Sequence, residues 1–108
     1  IVAEISGKII GSSEIRIFSE RSVHVGRLGI AIVKNYRNVG IGKTMMRILI
    51  KMGRRMGFKH IMLSVFESNR AAISLYKRFG FKKVARIPKL FSYKRKYVDD
   101  IIMMKEIS

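Results

Sequence analysis

The sequence predicts an α/β protein of the α+β kind: a mixed, mostly antiparallel sheet flanked by helices. Three observations carry that expectation. First, apolar-rich Ile1 to Ile5, the turn-like Ser6-Gly7-Lys8 and the period-two segment Glu14-Ile15-Arg16-Ile17 read as a hairpin. Second, the apolar run Leu28 to Val33, a glycine-containing turn, a helical pattern and the compact apolar run His60 to Phe66 form a βαβ-like unit. Strands joined by such a crossover are parallel. Third, another helical pattern follows, and then two strand-like segments, the last of which pairs back to close the sheet.

Composition bounds the possibilities. The chain has 108 residues, which suits a single domain over 1–108 with a small core. Its hydrophobic fraction of 48% is enough to fold. It has no cysteine, so thiol chemistry and disulfides are excluded, and His24 and His60 lie too far apart in sequence to suggest a metal site. No apolar run reaches the length of a membrane span and no signal peptide is visible, so the expected setting is the cytoplasm. Lys plus Arg number 23 against 7 for Asp plus Glu, a formal net charge of +16. That excess points to an anionic partner: nucleic acid, a polyphosphate cofactor, an acidic substrate or the ribosome.

Taken in order, Lys8 to Phe18 is a half-buried strand and Ser19 to Ser22 a polar turn. Val23 to Val33 is a strand whose apolar phase slips near Gly26-Arg27, read either as a bulge that splays it from a neighbour or as a simple twist. Gly40 to Met56 is a helix with Ile41, Met45, Ile48, Leu49, Met52 and Met56 on its apolar face, and Gly57 stops it. Asn69 caps a second helix that buries Ala72, Ile73, Tyr76 and Phe79 and ends at Gly80. Phe81 to Arg86 is a strand, Ile87 to Lys96 a basic loop containing Phe91 and Tyr93, and Tyr97 to Ile107 the closing strand.

The segment Arg37-Asn38-Val39-Gly40-Ile41-Gly42-Lys43-Thr44 stands where a strand gives way to a helix. The first N–H groups of a helix lack internal partners, and glycines let an anion approach them. Gly42-Lys43-Thr44 matches the end of a nucleotide P-loop, but that pattern needs glycine where Arg37 stands. The dinucleotide spacing G-x-G-x-x-G is also absent.

What remains, Arg37-Asn38-Val39-Gly40-Ile41-Gly42, resembles the R/Q-x-x-G-x-G/A signature of the GNAT superfamily of acetyl-CoA-dependent N-acetyltransferases. The block Leu63 to Phe81, with Asn69, Ala72, Tyr76 and Gly80-Phe81, resembles that family's second motif, and Tyr97 to Met103 its closing strand. The resemblance covers nearly the whole chain. It implies that acetyl-CoA is the co-substrate, with no metal. The pyrophosphate would rest on Arg37, Asn38, Val39, Gly40, Ile41 and Gly42, with Lys43 and Thr44 beside it. The pantetheine arm would pair with the backbone of Ile30, Ala31 and Ile32, and Asn69 would contact the cofactor. Tyr76 would act as general acid toward the leaving thiolate.

Two departures from the family pattern matter. Some relatives carry a glutamate base where this chain has Ser64, which leaves Glu67, Glu14, His24 or a bound water as candidates. The family's usual N-terminal strand and helices, roughly 40 residues by ordinary domain size, are expected to be missing ahead of Ile1. The acceptor implied is a primary amine, either a protein N-terminus or a small molecule, and a homodimer is allowed. The rival from another class is a basic module that binds nucleic acid or the ribosome without catalysis, using Phe91 or Tyr93 for stacking.

Overall fold

The computed structural model describes residues 2–5, 8–32 and 40–107, with side chains over 11–30 and 40–107. Among the described residues the order is β1 (Val2–Ile5), β2 (Lys8–Ile17), β3 (Val25–Ile32), α1 (Ile41–Arg55), β4 (His60–Phe66), α2 (Arg70–Arg78), β5 (Lys82–Tyr93) and β6 (Lys96–Glu106). The strands form one six-stranded sheet in the order β1-β2-β3-β4-β6-β5. Its only parallel neighbours among these strands are β3 and β4, as a strand–helix–strand crossover requires. The sheet is therefore mixed and mostly antiparallel. No described helix is long and apolar enough to cross a membrane.

Both helices lie on one face. One apolar cluster joins Met46, Leu49 and Ile50 of α1, Tyr76 of α2, and the same phase of the strands, including Leu28, Ile61, Leu63, Val65, Ile101 and Met103. The buried face of α1 differs from the expected one. Met45, Met46, Leu49, Ile50 and Gly53 are buried, whereas Ile48, Met52 and Met56 are exposed. The helix has more apolar positions than one stripe can hold, so hydropathy alone does not fix its rotation. Gly53 does: a methyl group added there would lie 3.1 Å from both Ile61 and Ile107. The bare backbone brings this side of α1 against the sheet.

The strand phase near Gly26 is also settled by packing. The β2–β3 register runs without a shift from Gly11↔Ile32 to Ile17↔Gly26, so there is no bulge between these strands. Gly26 belongs to the same face as Leu28, and a methyl there would stand 2.6 Å from the Phe58 ring. Glycine is needed for that close approach and not for a kink.

The expected basic loop is strand instead. β5 continues to Tyr93, and Phe91↔Val98 and Tyr93↔Lys96 pair across to β6. The turn between them is Lys94-Arg95, with φ of 51° and 64°. Two-residue hairpin turns usually announce themselves with Asn-Gly or Asp-Gly. Here two ordinary residues take the left-handed region at a cost of roughly 1–2 kcal/mol each. The hairpin holds because Phe91 and Tyr93 pack on Phe66, with ring centroids 5.7 and 5.6 Å away. β5 itself is irregular between Ile87 and Phe91. There Lys89, at φ 53°, donates its N–H to Asp99 Oδ1 at 2.8 Å.

Candidate active site

The site begins where β3 and β4 part. Their parallel pairing covers Val25↔His60, Gly26↔Ile61 and Arg27↔Met62 and then stops. β3 goes on to Ile32 and β4 to Phe66, so beyond Arg27 and Met62 the facing edges of the two strands are open. A cavity of about 390 Å³ occupies the gap. On the helix side its wall includes Leu28, Ile30, Leu63 and Tyr76. On the opposite face it includes Glu14, Arg16, Arg27, Gly29 and Ser64. Successive residues of a strand point to opposite faces. A cavity lined by both phases of two neighbouring strands therefore runs through the sheet, between the strands. The splay anticipated near Gly26 exists, but it arises from the divergence of β3 from β4.

Tyr76 lies on the last turns of α2, and its helical spacing from Ala72 and Ile73 turns it to the core. It is 7% exposed and its ring centroid is 6.1 Å from that of Phe81. Burial pushes the phenol above its ordinary pKa, because a phenolate would lose its hydration there. The group therefore keeps its proton at neutral pH.

The described chain resumes at Gly40, directly ahead of α1. Gly40 is the N-cap at φ 88°, a left-handed conformation that glycine adopts freely. No side chain caps this helix, and its first turn contains no acidic residue. Ile41 and Gly42 are half-buried while Lys43 and Thr44 are exposed. Thr44 donates both its N–H and its hydroxyl to the Gly40 carbonyl, each at 3.1 Å. The start of α1 thus presents backbone donors beside a lysine, with nothing negative nearby in its first turn. Arg37, Asn38 and Val39 lie outside the described residues, and Ala31 and Ile32 are described in their backbone alone. Asn69 caps α2, its Oδ1 accepting the Ala72 N–H at 3.2 Å.

The candidate bases separate cleanly. Glu14 lines the cavity, and Arg16 Nη2 holds its carboxylate at 2.6 Å. Glu67 is outside the cavity wall and is bound by Arg86, which also binds Asp99. His24 sits at the opposite end of the paired β3–β4 segment, its ring edge-on to His60 at 6.3 Å. Among the described residues no group of His, Cys, Asp and Glu could hold a metal ion.

Sequence reasoning missed Asp100. The closing strand expected from Tyr97 starts at Lys96, and Asp100 lies well inside it. Asp100 is 1% exposed and accepts a hydrogen bond from the Ser64 hydroxyl. The sequence held a faint signal: Asp100 shares its strand phase with Val98, Ile102 and Met104, so it is an acid in an otherwise apolar row.

Residues 1–81 match the acetyltransferase (GNAT) family. The chain belongs to that family. It is 31% identical over 107 residues to the L-amino acid N-acetyltransferase AaaT of Escherichia coli, covering 97% of this chain and 66% of that protein. It is 34% identical over 95 residues to an N-alpha-acetyltransferase of Sulfurisphaera tokodaii, covering 77% of this chain and 56% of that one. Among solved structures, an acetyltransferase of the GNAT family from Streptococcus pneumoniae superposes with a TM-score of 0.90 at 30% identity, over 98% of this chain and 65% of that chain. The chain spans between 34% and 66% of the length of the first curated relatives it matches.

Proposed function

We propose that residues 1–108 form an N-acetyltransferase domain that transfers the acetyl group of acetyl-CoA to a primary amine by direct attack. The cavity through the splayed sheet, with Tyr76 in its wall, carries this assignment. The cofactor's pyrophosphate lies at the start of α1, on Gly40, Ile41 and Gly42 with Lys43 and Thr44 beside it, and Arg37, Asn38 and Val39 belong to the same proposed cofactor-binding set. Helix dipole, free N–H groups and a basic side chain all favour an anion there. The pantetheine arm adds to the open edge of β3 at Ile30, Ala31 and Ile32, as an extended strand would. The amide NH₂ of Asn69, which the helix cap does not use, contacts the cofactor.

The thioester then lies in the gap between β3 and β4. The neutral amine nitrogen attacks its carbonyl carbon, the C–S bond breaks and the thiolate takes a proton from Tyr76; the nitrogen gives up one proton to solvent as the amide forms, and Tyr76 regains its own from solvent. Burial makes Tyr76 a weaker acid than a free phenol, so the transfer proceeds only as charge builds on sulfur. Positioning of amine and thioester in one narrow gap supplies much of the rate. The acceptor is a small-molecule amine or a protein N-terminus. The names of the Escherichia coli and Sulfurisphaera relatives support one each. A cytoplasmic setting belongs to the same proposal.

Acetyl-CoA at about 100 times its Kd should stabilise the folded protein by about 2.7 kcal/mol, read as a rise in Tm. No shift at millimolar acetyl-CoA overturns the assignment. Tyr76→Phe should lower kcat about 10²-fold at neutral pH. Unchanged turnover would remove Tyr76 from the chemistry.

A further inference from the structure

One polar group on the sheet is built at a cost that folding alone does not explain. Asp100 is 1% exposed. Its Oδ2 accepts the Ser64 hydroxyl, while its Oδ1 is buried with no hydrogen-bond partner among the described residues. Its cross-strand neighbours are apolar, Phe66 on β4 and Ile87 on β5. A half-satisfied buried carboxylate is expensive. Such groups in folded proteins call for an explanation, and catalysis is a common one.

Ser64 gives that carboxylate an outlet. It is exposed and stands in the cavity wall, so its hydroxyl links the space where an amine would sit to the buried acid behind it. The other charged and titratable groups facing this space are already committed or carry the wrong charge. From β2, Glu14 is held by Arg16. From β3, Arg27 is a cation. From α2, Tyr76 keeps its proton.

We propose that Ser64 and Asp100 remove the proton from the acceptor amine. Ser64 is the catalytic residue and Asp100 the positioning residue behind it. The ammonium N–H bond breaks as its proton passes to Ser64 Oγ. The Ser64 hydroxyl proton passes in turn to Asp100 Oδ2. This leaves a neutral amine, whose lone pair attacks, and a protonated Asp100, which returns its proton through Ser64 to solvent after product leaves. The assignment rests on the acetyltransferase reading above and supplies the base that reading lacks.

The test is a pH comparison of kcat/KM for the full-length protein with acetyl-CoA and three probe amines: L-leucine, spermidine and a peptide with a free N-terminal alanine. At pH 7 these amines are largely protonated and need a base, whereas near pH 10 a much larger share arrives already neutral. Ser64→Ala and Asp100→Asn should each lose about 10²-fold at pH 7 and most of that loss should vanish by pH 10. The double variant should lose no more than either single one, because the two act as a unit. Ser64→Thr, which keeps the hydroxyl, should recover most of the rate at pH 7. If Asp100→Asn fails to fold, the exposed Ser64 position carries the test alone. A Ser64→Ala protein as fast as the wild type at pH 7, or one slowed equally at both pH values, overturns the relay. The thermal shift with acetyl-CoA should persist in every variant. A wild-type protein that acetylates none of the three amines overturns the acetyltransferase reading, and the relay with it.

Discussion

The two edges of β4 are put to opposite uses. Toward β6 it is hydrogen-bonded along its full length, from His60↔Glu106 to Phe66↔Asp100. Toward β3 it is paired only from His60 to Met62. The first edge, with β5 beyond it, is a continuous antiparallel surface whose core side buries Ile101 and Met103. The second opens into the cavity. Antiparallel pairing over a long register is where a sheet gains stability, through ladder hydrogen bonds and packed side-chain pairs. An open strand edge forgoes that gain and leaves backbone donors and acceptors for an extended ligand. One strand can serve both ends only if its other neighbour holds it firmly.

That contrast can be broken from either side. The largest effect is expected on the continuous edge: Met103→Ala, at a site with 0% exposure, should cost about 2–5 kcal/mol in denaturant unfolding. A loss well under 1 kcal/mol would mean that the β4–β6 half is not the stabilising one. Next comes the root of the splay. Gly26→Ala places a methyl 2.6 Å from the Phe58 ring and should cost about 1–3 kcal/mol through overpacking. Trimming that ring with Phe58→Leu in the same protein should reduce the penalty. If Phe58→Leu does not reduce it, then the glycine is there for another reason.

The smallest expected effect concerns pH. Tyr76 has its pKa raised by burial in the folded state, so its contribution to stability is present below the unfolded value of about 10. It is lost as pH rises through the folded value. The Tm of the wild type should therefore fall more steeply above about pH 10 than that of Tyr76→Phe. Parallel curves would show that the tyrosine does not sit in the dry wall described here.

Much of this was legible in the chain. The strand His60–Phe66 was read with its observed ends, because a compact apolar run bounded by polar residues leaves little choice. Asn69 as a cap and Gly57 and Gly80 as helix stops were equally plain, since each acts on backbone groups within a few residues of itself. The βαβ unit gave the one parallel pair among the described strands. The misreadings share a cause. The rotation of α1 depended on Gly53 meeting Ile61 and Ile107. The far half of β5 depended on Phe91 and Tyr93 finding Phe66. No window of local sequence contains those partners.

By itself, then, the sequence determined the elements whose causes are local: helix ends and strand periods, together with the family that their order and spacing resemble. Tertiary structure alone decided where β3 leaves β4, which face of α1 is buried, and that Asp100 on β6 stands behind Ser64 on β4. Capping and periodicity act over one or two turns of chain. A gap between strands and a buried acid exist only once segments distant in sequence have packed together.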